Sequence, residues 1–290
     1  MLNYHSVAEL ASEAERAGRR ISDIVLDDQA EYLETPREAV FQTMKEYLGV
    51  MRESAEKGAA EDIKSTSGLT GGDAWRMARR AEGDAISGPF CARAISRALA
   101  VNECNASMGK IIAAPTAGSC GILPAAVLTM MEEKGVPEEK AVMALITAGA
   151  LGMVIVNQAS IAGAEGGCQA ACGSAAALAA GAMVEMSGGS PGMVAEACAI
   201  ALKNQLGLVC DPVAGLVEVP CVKRNAGGIM CAIGAADMAL GGIKSVIPVD
   251  EVIAAMREVG EAMASTLKET ALGGLAATPT GLALKRKVFG

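Results

Sequence analysis

Three cysteines between residues 163 and 228 have the greatest potential for chemistry. Cys168 lies in the glycine-rich run GAEGGCQAACG, and Cys210 and Cys221 bracket the segment CDPVAGLVEVPC. Because glycine and proline in these segments prevent a long helix, we expect irregular loops with free main-chain N–H groups. Thiolates beside such donors are the environment that a metal–sulfur centre requires. Three cysteine ligands would leave one metal position open to a substrate oxygen.

The remaining cysteines are less distinctive. Cys172 follows Cys168 by four residues, so a helix there would point both side chains the same way. Cys120, in the turn PTAGSCG, could contact the residues that form a site without binding the metal or substrate itself. The spacing is not the CxxCxxC type of ferredoxins, so it does not establish a cluster by itself. Four more cysteines lie inside apolar helical patterns, where cysteine is usually a small core residue: Cys91, Cys104, Cys198 and Cys231.

A polar turn, STSGLTGG at residues 65–72, precedes a helix predicted to begin at Asp73. Hydroxyls and free N–H groups at a helix N-terminus are a common setting for a carboxylate or phosphate. The candidate ligands are Ser67, Thr70 and Gly71. The alternative is an ordinary flexible loop with a helix cap.

A second polar turn, APTAGSCG at residues 114–121, also precedes a predicted helix. Thr116, Gly118 and Ser119 could hold the other end of a small polar substrate, although the turn must also connect two helices tightly. Asn105 lies at the end of the preceding apolar helix and needs hydrogen-bond partners if it is buried. Either a substrate amine or a backbone group could be the hydrogen-bond partner of Asn105.

Arg224 and Asn225 follow Cys221 closely. A guanidinium there could neutralise thiolate charge or bind a substrate carboxylate through two parallel hydrogen bonds. A solvated polar pair is the alternative.

The elements that must position these residues are predicted to be helices. No aromatic residue occurs from Cys91 to Val288, where small and aliphatic residues dominate, and strand signatures are scarce. We therefore predict an all-α fold of tightly packed Ala- and Gly-rich helices with loops that carry the cysteines. The prediction is one domain, 1–290, with an N-terminal helical pair at about 1–60.

Capping and periodicity signals place the helices. The first is predicted to run from the capping box at Ser6 to Ile24, and the second from Thr35 to Met51. Further helices are predicted at 73–82, 90–108, 123–134, 138–161, 169–186, 191–205, 226–240 and 250–269.

Composition excludes several classes of protein. In 290 residues, 51% are apolar, which is ample for a core. The net charge of −8 would repel a nucleic-acid backbone. Nine cysteines without a signal peptide indicate reduced thiols and a cytoplasmic protein. The apolar run at residues 141–156 is shorter than the roughly 20 residues that span a membrane, so a buried core helix is predicted.

The segments NASMGKIIAAPTAGSCGILPA, GAEGGCQAACG and CDPVAGLVEVPCVKRNAGG resemble the alpha chain of bacterial iron-sulfur-dependent L-serine dehydratases, over nearly the whole chain. The resemblance implies that Cys168, Cys210 and Cys221 hold a 4Fe-4S cluster, and that STSGLTGG lies at the substrate site. It further implies that an iron without a protein ligand acts as a Lewis acid on the hydroxyl of L-serine. Pyruvate and ammonia are the implied products.

The resemblance is to the two-chain form of these enzymes. Single-chain relatives end in a cysteine that folds back onto the open iron, whereas this sequence ends LALKRKVFG. The family's beta chain carries a histidine-containing segment, and here the only histidine is His5, far in sequence from each candidate turn. Because removal of an α-proton usually employs histidine, we expect a beta chain to complete the active site.

Two other functions are considered. A pyridoxal-phosphate-dependent lyase would need a lysine beside a glycine-rich phosphate cradle, and Lys110 has no such cradle. A non-catalytic helical iron–sulfur or scaffold subunit would not need the two polar turns. The colour of anaerobically purified protein separates the three: brown for a cluster, yellow for pyridoxal phosphate and colourless for neither.

Overall fold

Thirteen α-helices form almost all of the regular structure in residues 4–290, the part of the chain that the computed structural model describes. No named strand occurs in this part, and one isolated bridge joins Cys210 to Lys268. The prediction of an all-α fold is confirmed. In chain order the helices are α1 (Val7–Ala17), α2 (Ile21–Tyr32), α3 (Arg37–Gly58), α4 (Asp73–Ala81), α5 (Gly88–Ala106), α6 (Ile122–Lys134), α7 (Glu138–Gln158), α8 (Gly163–Gly166), α9 (Ser174–Met186), α10 (Pro191–Lys203), α11 (Cys221–Leu240), α12 (Val249–Ala262) and α13 (Pro279–Phe289).

Helix α9 lies at the centre of the core. All of its residues are buried, and it packs against α6, α7, α10 and α11. Its sequence, SAAALAAGAMVEM, has small side chains on every face, so helices can approach it from several directions. At Gly181 an added Cβ would lie 2.6 Å from the Leu151 side chain. The scarcity of large residues therefore sets the close spacing of the helices.

The N-terminal region differs from its prediction. A single helix from Ser6 to Ile24 is wrong, because Gly18 takes a left-handed conformation (φ 63°) and ends α1. Its N–H donates to Ala14 and Glu15, and α2 begins at Ile21. Apolar spacing continues through both helices, so periodicity alone could not show the break, although a glycine C-cap is the expected signal.

Other helix boundaries also differ: α3 continues to Gly58 rather than ending at Met51, and further differences lie near the cysteine-rich loops. A π-helical turn, Gln169–Gly173, precedes α9. Helix α11 begins at Cys221 rather than residue 226, and α12 ends at Ala262 rather than residue 269. The C-terminal helix α13 was not predicted; Thr278 caps it by accepting a hydrogen bond from Gly281 N–H.

Helix α7 is long and apolar enough to cross a membrane by length and composition. However, 67% of its most apolar window is buried inside the protein, where α7 packs against α2, α3 and α9. This confirms the prediction of a core helix at residues 141–156.

Two glycines of α3 provide a matched test of close helix packing. A Cβ at Gly58 would overlap the Ala100 carbonyl of α5, whereas a Cβ at Gly49 would meet nothing within 4 Å. We predict that Gly58→Ala lowers the free energy of unfolding by about 1 to 3 kcal/mol. Gly49→Ala should raise it by about 0.5 to 1 kcal/mol, because alanine favours helix. Urea unfolding measures both, and equal effects would contradict the packing described.

Candidate functional site

The three predicted cluster cysteines meet at one cavity of about 240 Å³. Cys168 precedes the π-helical turn, Cys210 lies in the loop after α10, and Cys221 is the first residue of α11. Cys172 lines the same cavity, and all four side chains are buried. The fold therefore brings together thiols that are widely separated in sequence.

The four thiols have different acidities. Hydrogen bonds from the thiols of Cys172 and Cys210, together with the Arg224 guanidinium, lower the pKa of Cys168 to about 3. Those hydrogen bonds to Cys168 raise the pKa of both Cys172 and Cys210, and burial raises the pKa of Cys221 to about 12. The Arg224 guanidinium and the neighbouring thiols thus favour the ionised form of Cys168.

Arg224 joins this thiolate to the surrounding loops. Its Nη1 donates to Cys168 Sγ at 3.2 Å and to the Val209 carbonyl at 2.7 Å. Its Nη2 donates to Asp211 Oδ1 at 2.7 Å. The other oxygen of Asp211 accepts a hydrogen bond from Leu275 N–H at 2.7 Å. The guanidinium faces the thiol rather than bulk solvent.

The second polar turn forms another wall of the cavity. Thr116 and Gly118 line it, and the Thr116 hydroxyl lies 3.0 Å from the hydroxyl of buried Ser119. Asn105 Nδ2 donates to the Ala117 carbonyl at 3.3 Å. Asn105 Nδ2 therefore has a backbone partner, and a contact of the Asn105 side chain with a substrate amine stays a prediction. The turn both connects two helices and shapes the cavity.

Asn225 ties this turn to Cys221. It is fully buried; its Oδ1 accepts from Gly121 N–H at 2.9 Å, and its Nδ2 donates to the Gly118 and Cys221 carbonyls, each at 2.8 Å. Cys120 lies outside the cavity lining, and burial raises its pKa to about 12. Cys120 accepts a hydrogen bond from Asn102 Nδ2 at 3.6 Å and lies in the hydrophobic core.

The STSGLTGG turn does not line the cavity but contacts a buried carboxylate beside it. The Ser67 and Thr70 hydroxyls donate to Glu218 Oε2 at 2.9 and 3.0 Å. Glu218 lies between Cys210 and Cys221 in sequence. Gly71 packs against the Ile63 carbonyl, so its role in the structure is to close the turn. Sequence reasoning missed Glu218, whose only signal was one acidic residue within an apolar segment.

A second missed carboxylate, Glu103, fixes the end of this turn. Glu103 is 1% exposed on α5 and accepts hydrogen bonds from Asp73 N–H at 2.9 Å and Ala74 N–H at 3.2 Å. Its two oxygens cap the N-terminus of α4. Burial raises the pKa of Glu103, although these two N–H groups act in the opposite direction.

The remaining wall of the cavity includes Glu269, whose N–H donates to the Cys210 carbonyl at 2.7 Å. His5 is exposed before α1 and does not line the cavity. Within residues 4–290, no group of three or more His, Cys, Asp or Glu side chains is arranged around a point that could hold a single metal ion.

Fold and site together define a helical protein built around a buried, cysteine-lined cavity. Residues 15–276 match the family described as serine dehydratase alpha chain. This match covers most of the 290 residues. The chain therefore belongs to the serine dehydratase alpha chain family.

Individual relatives are similar over the full chain. A probable L-serine dehydratase alpha chain of Bacillus subtilis is 51% identical, covering 99% of this chain and 96% of the relative. The L-serine dehydratase alpha chain of Peptoniphilus asaccharolyticus is 42% identical, covering 99% and 98%. An L-serine dehydratase of Streptomyces coelicolor is 38% identical over 92% of this chain but only 59% of its own length.

The raised pKa of Glu103 predicts a pH-dependent stability. Its ionised form is disfavoured on folding, so its contribution is fully present below the ordinary pKa of 4.5 and is lost as pH rises through the higher folded pKa. We predict that Glu103→Gln gains stability relative to the wild type between about pH 4 and about pH 7, measured by urea unfolding.

Glu138→Gln provides the contrast. Lys45 and Arg52 lower the pKa of Glu138, so this variant should lose stability relative to the wild type over the same pH interval. Parallel pH profiles of Glu103→Gln and the wild type would contradict the prediction for Glu103.

Proposed function

We propose that this chain is the catalytic alpha subunit of an L-serine dehydratase, which eliminates water from L-serine and yields pyruvate and ammonia. Family membership and the names of full-length relatives support the reaction. The observation that carries the proposal is the convergence of Cys168, Cys210 and Cys221 on one cavity beside two polar turns.

A 4Fe-4S cluster is the proposed cofactor, with Cys168, Cys210 and Cys221 as its ligands. The residues fit such a group, because the donors are all thiols and Arg224 offsets thiolate charge. The three side chains line one cavity without converging on a single point, so they would hold a group with several metal ions rather than one ion. When bound, the cluster would supply a Lewis acid for the leaving hydroxyl. All nine cysteines are free, which suits a reducing, cytoplasmic setting.

The chain's own residues would bind and orient the substrate. Apolar side chains make up much of the cavity wall, so water is limited and electrostatic interactions inside are strengthened. Thr116 and Gly118 offer polar groups on one side. A second polar cluster lies beside the cavity, where Glu218 of the loop that leads to Cys221 accepts hydrogen bonds from Ser67 and Thr70.

Histidine is the usual base for an α-proton, and within residues 4–290 no histidine lines the cavity. The Cys120 thiol lies outside the lining, and burial raises its pKa, so it keeps its proton and offers no thiolate to act as a base. We propose that a beta chain supplies this base. The greater length of the Streptomyces relative supports a need for further sequence.

The two alternative functions gain no support. Lys110, the only lysine considered for a pyridoxal-phosphate linkage, is exposed and does not line the cavity. The polar turns, which a scaffold would not require, border the cavity or a carboxylate beside it.

Cysteine variants test the proposed ligands. We predict that Cys168→Ser, Cys210→Ser and Cys221→Ser each lose most iron and sulfide after anaerobic reconstitution, because too few thiolates remain. Cys198→Ser is the control, since Cys198 is fully buried in α10 and does not line the cavity. Iron and sulfide analysis measures loading without relying on activity. Full loading of Cys210→Ser would refute this ligand set.

A mixing experiment tests the shared active site. We predict little pyruvate from L-serine with the reconstituted alpha chain alone, and an increase of about 10² or more when the beta chain is added, because general base catalysis contributes at least this much. Full activity of the isolated chain, retained in His5→Ala, would contradict the need for a partner.

A further inference from the structure

Glu218 is a buried carboxylate with an incomplete set of partners. Its residue exposure is 6%, and both the Ser67 and Thr70 hydroxyls donate to Oε2. Within residues 4–290, no hydrogen bond reaches Oε1 and no Lys, Arg or His forms an ion pair with Glu218. Two hydrogen bonds fix the position of Oε2, whereas Oε1 is free to accept a hydrogen bond from a ligand.

The other buried carboxylates have different explanations. Asp211 forms an ion pair with Arg224 at 2.7 Å, and Glu103 caps α4. Glu185 accepts a hydrogen bond from Thr147 at 2.5 Å, and its other oxygen, Oε1, has no partner but is enclosed in the helical core, where burial raises the pKa of Glu185. No cation of residues 4–290 pairs with Glu218, and its Oε1 is not enclosed as the unpartnered oxygen of Glu185 is, so a positively charged group of a ligand can reach it.

The location of Glu218 identifies the direction from which such a group would come. Its neighbour Val217 lines the cysteine cavity, and Val217 lies against Gly118 of the second polar turn. The Glu218 carbonyl accepts a hydrogen bond from Val222 N–H at 3.0 Å, at the start of α11. Glu218 is thus fixed between the cavity, Cys221 and the STSGLTGG turn.

We propose that Glu218 binds the α-ammonium group of the substrate amino acid, with the Ser67 and Thr70 hydroxyls positioning its carboxylate. This inference rests on the proposed function, because L-serine carries one ammonium group. Ser67 and Thr70 then act through Glu218 rather than by binding the substrate carboxylate. A negative charge at this position also disfavours the reverse orientation, in which the substrate carboxylate would face Glu218.

The test uses the reconstituted two-chain enzyme and two ligands. L-Serine carries the ammonium group, whereas L-glycerate has the same carboxylate and β-hydroxyl groups and an uncharged α-hydroxyl in place of the ammonium. For Glu218→Gln we expect KM for L-serine to rise about 10- to 100-fold with a smaller change in kcat. Inhibition by L-glycerate should be unchanged or stronger. Glu218→Asp, which keeps the charge, should retain a preference for L-serine over L-glycerate.

Glu185→Gln is the matched control, since Glu185 is also a buried, hydroxyl-bonded carboxylate but contacts Thr147 in the helical core rather than the STSGLTGG turn beside the cavity. It should leave both ligands unaffected. Equal weakening of L-serine and L-glycerate by Glu218→Gln, or a fall in kcat with KM unchanged, would overturn the ammonium assignment. Titration calorimetry measures the Kd of L-serine and of L-glycerate in parallel. Lack of turnover by the wild type would refute the proposed function, while the ligand preference would still test Glu218.

Discussion

The buried contact between Arg224 and the Cys168 thiol is the interaction on which the arrangement of the site depends. A thiolate in a buried cavity needs a compensating cation, and the guanidinium meets this need at 3.2 Å. The same group pairs with Asp211, the residue after Cys210. Arg224 also stands three residues after Cys221 on α11, so the helix fixes their separation. The Arg224 side chain therefore fixes the positions of Cys168, Cys210 and Cys221 relative to one another.

This interaction constrains the fold around it. The guanidinium reaches the thiol from the first turn of α11, which begins at Cys221, and the prolines Pro212 and Pro220 keep the chain before it from continuing as a helix. Asp211 extends the network to the Leu275 N–H, and this contact holds the segment before α13 against the cysteine loop. Elsewhere the helices pack through small residues of α9, which leaves the helix ends to form the cavity. A regular core thus supports an irregular site.

Much of the fold could be predicted because local patterns determine it. Capping residues, apolar periodicity and the absence of aromatic residues indicated an all-α chain, and the start of α4 at Asp73 is confirmed. The break at Gly18 was missed because apolar spacing continues across it. The cluster ligands required a family resemblance, since widely separated cysteines have no local signature. Their cavity position agrees with that resemblance, while their role stays a prediction.

The buried carboxylates could not have been predicted, for a physical reason. Glu103 and Glu218 owe their surroundings to contacts with residues 29 to 151 positions away, and no local pattern encodes such contacts. Each carboxylate holds a different part of one turn: Glu103 accepts the N–H groups at its end, and Glu218 accepts its hydroxyls. Because Glu218 also belongs to the loop between Cys210 and Cys221, a displacement of that loop would disturb the hydroxyls. The STSGLTGG turn and the loop between Cys210 and Cys221 are therefore coupled through a single side chain.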